Sequence, residues 1–158
     1  MGDPLKTIFS GHFKDSNCIL KIIRLPSIAD LPIPAYQTDG AAGIDLYAAK
    51  SLRSANFQVV KIPTGICVKI PDGCVGFVLG RSGRSSRGDW TATGTIDADF
   101  TGEIHVILTG VSGGELFVDR GDRIAQLVVV PVMRMEIREV TELEETKRGA
   151  KGFGSTGG

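Results

Sequence analysis

Histidine is almost missing from this sequence. His12 and His105 are the two among 158 residues, which argues against a Ser-His-Asp hydrolase. Cysteine is scarce as well. Cys18, Cys67 and Cys74 are odd in number and too few for a disulfide framework, so a reducing compartment is expected. Cys67 and Cys74, taken with His105, do not reproduce a zinc-ligand spacing. No apolar run approaches the ~20 residues that cross a bilayer. The opening "MGDPLKTIFSGHF" holds no long apolar stretch of the signal-peptide kind, and Lys6 stands where a myristoylation pattern needs Ser or Thr. Charge of one sign is not in excess, since 18 Lys+Arg balance 18 Asp+Glu. That argues against a chain-wide basic field for nucleic acid and leaves room for a local cationic pocket. A soluble intracellular protein is expected, in cytoplasm or nucleus, without a membrane or nucleic-acid partner.

Also lacking is any 3.6-residue apolar pattern sustained for three turns, apart from one short helical turn expected around residues 82–88. What the sequence does have is short apolar runs jointed by 21 glycines, with hydrophobic residues at 42%. "FQVVKIPTGICVKIPDG" predicts two strands about a "PTG" turn, with Ile66, Val68 and Ile70 on one face. "TGEIHVILTG" places Ile104, Val106 and Leu108 on one face of a strand. "DRIAQLVVVPV" reads as a longer, nearly continuous apolar strand, and "MRMEIREV" alternates Met133, Met135 and Ile137 with charges. Residues 1–17 read as a mobile lead-in. The length suits one domain, and the pattern is all-β: a sandwich, jelly roll or barrel.

Several stretches carry chemistry. "GRSGRSSRG" follows an apolar strand, and its backbone amides, Ser82 and Arg81 can cradle phosphate. The ending "RGAKGFGSTGG" is rich enough in glycine to wrap phosphate oxygens, with Ser155 and Thr156 as hydroxyl donors and one ring, Phe153. It is not a Walker A loop, because Gly-Lys-Ser/Thr and a following helix are absent. In "GTIDADFTGEIHVIL", Asp97 and Asp99 share a face if extended, giving a candidate base; the same residues also suit an acidic turn. Asp45 in "GIDLYAA" is an acid in an apolar strand, which demands a bound cation, a water or an arginine. Two "RGD" tripeptides, at 87–89 and 120–122, carry too little information for an adhesion reading. Phosphate-friendly loops, several acids and no nucleophile dyad suit Mg²⁺-assisted attack of water on a phosphate ester.

In order along the chain, "AAGIDLYAA", "GRSG", "GTIDADFTG", "GDRIAQL" and "RGAKGFGSTG" resemble the five motifs of the trimeric dUTP pyrophosphatases, the dUTPases. The resemblance runs from about residue 18 to the end. It implies a jelly-roll-like β domain over 18–140, a C-terminal arm over 141–158 that closes on a neighbouring subunit, and a homotrimer with active sites at subunit contacts. The activity implied is Mg²⁺-dependent hydrolysis of dUTP to dUMP and pyrophosphate, which limits uracil in DNA and supplies dUMP for thymidylate synthesis. In that picture Asp97 deprotonates the water that attacks the α-phosphorus, and Asp45 holds Mg²⁺ through a bound water. Arg81, Ser82, Gly83 and Gln126 grip the phosphates. A hairpin from Gly94 to His105 cups uracil through the backbone at Ile96 and around His105, and Phe100 lies against the deoxyribose. In the arm, Phe153 stacks on the base while Arg148, Gly154, Ser155 and Thr156 reach the phosphates.

Three positions depart from the family pattern. Phe100 stands where Tyr is usual, "RSSRGDW" follows the second motif where small and apolar residues are favoured, and Lys151 replaces a glycine. Two other readings compete. A dCTP deaminase-like relative needs a glutamate ten residues beyond Asp97, a position that is Ile107 here. A non-catalytic nucleotide-binding or regulatory relative would lack Asp97 or the arginines, which are present. A regulatory protein partner, if there is one, would meet the loops "SRGDWTAT" and "TGVSGGELF".

Overall fold

The structure, a computed structural model, describes residues 19–55, 58–110, 115–146 and 149–150. The expected lead-in, part of "TGVSGGELF" and nearly all of the last motif lie outside them. The strands are β1 (Lys21–Arg24), β2 (Ile44–Tyr47), β3 (Leu52–Ser54), β4 (Val60–Lys69), β5 (Cys74–Leu79), β6 (Asp89–Thr91), β7 (Gly94–Ile96), β8 (Glu103–Gly110), β9 (Leu116–Val118) and β10 (Arg123–Pro131). A 3₁₀ turn, Pro26–Ile28, follows β1, and a one-turn helix, α1 (Ser82–Ser85), follows β5. The strands form two four-stranded sheets, β1-β4-β8-β6 and β2-β10-β5-β7, plus the ribbon β3-β9. The described pairs are antiparallel. The all-β expectation is met, and the helical turn falls where it was predicted.

Alternation decides the core. Ile104, Val106 and Leu108 of β8 are fully buried, as are Ile62, Ile66 and Ile70 around β4, while Lys61, Lys69 and Ile107 between them face outward. These residues join Leu46, Leu116, Ile124 and Leu127 in one cluster. Arg84 of α1 is buried beneath this framework. Its Nη2 donates to the Phe117 carbonyl at 3.0 Å, and its Nε lies 2.9 Å from Asp89 Oδ2 without the alignment of a hydrogen bond. Both "RGD" tripeptides are thereby absorbed into the fold: Asp89 and Asp122 face Arg84, and Arg120 pairs with Asp30.

Two expected elements differ. "PTG" is not a turn between two strands but an irregularity inside one long strand. Pro63 pairs with His105 and Cys67 with Glu103, so four steps on β4 oppose two on β8. The surplus is accommodated because Gly65 adopts φ +68° and donates to Glu103 Oε1 at 2.7 Å, while Thr64 Oγ1 donates to the Ile104 carbonyl at 2.7 Å. Beyond Pro131, "MRMEIREV" enters no described ladder. β10 ends opposite Cys74, where β5 begins, so among the described residues no paired strand continues beside residues 133–140. Met133, Met135 and Ile137 are consequently exposed, Ile137 by 95%.

Candidate active site

Register brings the first polar constellation together. In the second sheet Gln126 of β10 lies opposite Asp45 of β2 on one side and Leu79 of β5 on the other. Two residues past Leu79 comes Arg81, extended at φ −98° and followed at once by α1. Three neighbouring strands thus deliver an acid, an amide and a cation to one end of the sheet. Gln126 Nε2 donates to the Gly80 carbonyl at 3.0 Å and fixes the segment that carries Arg81. Gly43 lets Gln126 approach, since a Cβ there would lie 2.8 Å from its Oε1.

Asp45 is 5% exposed, and its carboxylate meets arginine on both oxygens. Arg81 Nε is 2.8 Å from Oδ1, and Arg123 Nη1 is 3.2 Å from Oδ2. Arg123 also reaches Gln37 Oε1 at 3.4 Å. Of the three partners that sequence left open for Asp45, the structure supplies arginine. Two guanidinium groups against one carboxylate leave one net positive charge. With Ser82, Gly83 and Gln126 they line a depression of about 430 Å³. Arg123 and Gln37 were not singled out from sequence. The signal for Arg123 was present: it stands inside "GDRIAQL", and a buried acid requires cations.

Asp97 lies elsewhere. It follows β7 and, with Asp99, Asp72 and Arg134, lines a second depression of about 600 Å³ that shares no lining residue with the first. The predicted acidic turn is present, closed by Phe100 N–H donating to the Asp97 carbonyl at 3.1 Å. The expected hairpin from Gly94 to His105 has arms that pair in different sheets, β7 with β5 and β8 with β4 and β6. Segment 97–102 is therefore a crossing between sheets. Gly94 pairs with Val78 and Ile96 with Gly76, and the Ile96 side chain is buried in the core. The Phe100 ring is partly exposed and rests over Gly102, where a Cβ would come within 2.8 Å of it. His105 projects from β8, its Nδ1 3.1 Å from the Glu103 carbonyl, and lines neither depression. Arg148, Phe153, Gly154, Ser155 and Thr156 lie outside the described residues.

An antiparallel β sandwich with paired arginines and a hydroxyl around one buried carboxylate defines an anion-binding protein suited to phosphorylated ligands. A sequence model of the dUTPase family matches residues 29–157. The deoxyuridine 5'-triphosphate nucleotidohydrolase of Aquifex aeolicus is 50% identical over 147 residues, covering 90% of this chain and 98% of that protein. That of Rhizobium johnstonii is 41% identical over 150 residues, covering 90% and 96%. Among solved structures, the dUTPase of Staphylococcus bacteriophage 80alpha with dUpNHpp is similar at a TM-score of 0.81 and 28% identity, covering 90% of this chain and 99% of that one. A dUTPase of phage phi11, described with a structural Mg(II) ion, is similar at 0.72 and 25%, covering 80% and 99%. The chain belongs to the dUTPase family.

Proposed function

We propose that this protein hydrolyses dUTP to dUMP and pyrophosphate, with Asp97 as the base and the Arg81 depression as the triphosphate site. The observation that carries the reading is the Asp45-centred arginine pair, which presents net positive charge beside Ser82, Gly83 and Gln126. Charge-assisted bonds from a guanidinium suit phosphate oxygens. In this reading Asp97, exposed at the rim of the other depression, takes a proton from a water that approaches the α-phosphorus in line; general base catalysis contributes typically ~10²–10⁴-fold. Backbone polar groups around Ile96 and His105 select uracil, because a base with the wrong edge leaves buried polar groups unpaired. The arm residues Arg148, Phe153, Gly154, Ser155 and Thr156 complete the site, the ring stacking on the base.

Described residues offer no cluster of three or more His, Cys, Asp or Glu for a metal. Because both oxygens of Asp45 meet arginine, Asp45 would touch a magnesium ion that arrives with the triphosphate only through a bound water, since Mg²⁺ keeps several waters and takes substrate phosphates as ligands. Bound there, Mg²⁺ would neutralise charge on the phosphate oxygens.

The separation of Asp97 from the arginine cleft within one chain favours a site assembled between copies. So does the exposed apolar run Met133, Met135, Ile137, Val140 and Leu143, which is the kind of surface another subunit covers. A homotrimer meets both requirements. The decisive experiment measures pyrophosphate release from dUTP, dTTP, dCTP and UTP with and without Mg²⁺. Release confined to dUTP with Mg²⁺ is expected; uracil product from dCTP, or no turnover of dUTP, overturns the reading.

A further inference from the structure

Segment 97–102 leaves the second sheet after Ile96, which pairs with Gly76, and enters the first at Glu103, which pairs with Cys67. Asp97 therefore sits on backbone that belongs to neither ladder. The bond from Phe100 N–H to the Asp97 carbonyl sets the shape of the turn but does not fix its place relative to the sheets. A general base has to be held to within about 0.5 Å of its productive position. Something outside the turn has to anchor it.

Lys69 does so. It is the last residue of β4, outward-facing between buried Val68 and Ile70. Its ammonium donates to the carbonyl of Ala98 at 2.7 Å, one peptide from Asp97, and to Asp72 Oδ1 at 3.2 Å. Asp72 belongs to the β4–β5 turn, which is closed by Cys74 N–H donating to the Pro71 carbonyl at 3.1 Å. The ammonium thus bridges the β4–β5 turn, which itself crosses between the two sheets, and the turn that carries the base. Asp72, the carboxylate it pairs with, lines the same depression as Asp97 and Asp99. No motif drew attention to Lys69, because its role follows from a contact 29 residues away in sequence.

We propose that Lys69 is a positioning residue for Asp97, tying the turn that bears the carboxylate to the end of β4 and the β4–β5 turn. The proposal rests on the reading of Asp97 as the base. Its test compares Lys69→Met, Lys69→Arg, Asp97→Asn and the double variant Lys69→Met/Asp97→Asn in the full-length assembled enzyme, measuring kcat, KM for dUTP and melting temperature. Because a displacement of about 1 Å can cost 10²-fold, Lys69→Met is expected to lower kcat by roughly 10- to 100-fold with KM and melting temperature little changed. Lys69→Arg is expected to restore kcat to within about threefold, since its guanidinium can serve the same two acceptors. Added to Asp97→Asn, Lys69→Met is expected to cost nothing more, because both act through one group. Normal kcat in Lys69→Met beside an inactive Asp97→Asn overturns the positioning role and leaves the base intact. Loss of kcat that tracks loss of stability, without rescue by arginine, makes Lys69 a structural residue and also overturns it. Full activity in Asp97→Asn removes the base itself, and the proposal with it.

Discussion

At the scale of single residues, Asp45 and Asp97 are both aspartates in motif stretches, yet the fold treats them oppositely. Asp45 is buried between two guanidinium groups, whereas Asp97 stands exposed on a turn. Substituting them should separate stability from chemistry. Asp45→Asn keeps the shape but removes the charge that orders Arg81 and Arg123. It is expected to cost about 2 kcal/mol, in line with hydrogen bonds to charged groups, and to raise KM for dUTP. Urea denaturation and steady-state kinetics check the two effects. Asp97→Asn is expected to leave the melting temperature unchanged while lowering kcat by 10²- to 10⁴-fold, with dUTP binding retained in calorimetry. The need of Asp45 for a partner was legible from one acid in an apolar run. The identity of that partner was not, because Arg123 meets it through the β2–β10 pairing, 78 residues apart in sequence.

At the scale of elements, alternation of apolar residues made β4 and β8 readable face by face, down to Ile104, Val106 and Leu108. It could not show that "PTG" continues a strand. Pro and Gly punctuate a turn and a bulge alike, and what settles the matter is the partner strand and the seat that Gly65 offers Ile28. A Cβ at Gly65 would lie 2.6 Å from Ile28 Cγ1 and Cγ2, and the backbone there has φ +68°. Gly65→Ala combines a left-handed residue with overpacking and is expected to destabilise by about 2–4 kcal/mol, read from the denaturant midpoint. A second clasp joins the Pro26–Ile28 turn to the loop before β10. Arg120 Nη1 donates to Asp30 Oδ2 at 2.8 Å, and Arg120 Nη2 to the Ser27 carbonyl at 3.0 Å. The side-chain hydrogen bond from Arg120 holds the Asp30 carboxyl below its ordinary value near 3.8. A depressed carboxylate contributes stability above its unfolded value and loses it as pH falls through the folded one. Asp30→Asn is therefore expected to be less stable than the parent at neutral pH, the two converging below about pH 3.8. Melting curves across that range check the convergence.

At the scale of the whole molecule, two features of the described residues stand apart. The described ladders stop at Pro131, although "MRMEIREV" has the alternation of a strand. Gln37, Asp45, Arg81, Arg123 and Gln126 line one depression, while Asp97 lines a separate one. Motif order in the sequence revealed the family, and the resemblance implied active sites at subunit contacts, but the motifs alone did not assign each part to a copy. A linear motif carries no information about which copy of the chain supplies it.

That division has a genetic consequence. If the arginine cleft of one subunit works with the carboxylate of the next, two separately inactive alleles need not be inactive together. Subunits carrying Arg81→Ala and subunits carrying Asp97→Asn, dissociated, mixed in equal amounts and reassembled at random, would regenerate intact cleft–carboxylate pairs at about a quarter of the junctions in a closed ring. Recovery of roughly that share of dUTP turnover is the expected outcome, and a mixture as inactive as its parents would mean that each chain works alone. By the same arithmetic, a single defective allele would spread its damage through mixed assemblies, silencing junctions to which an intact copy also contributes.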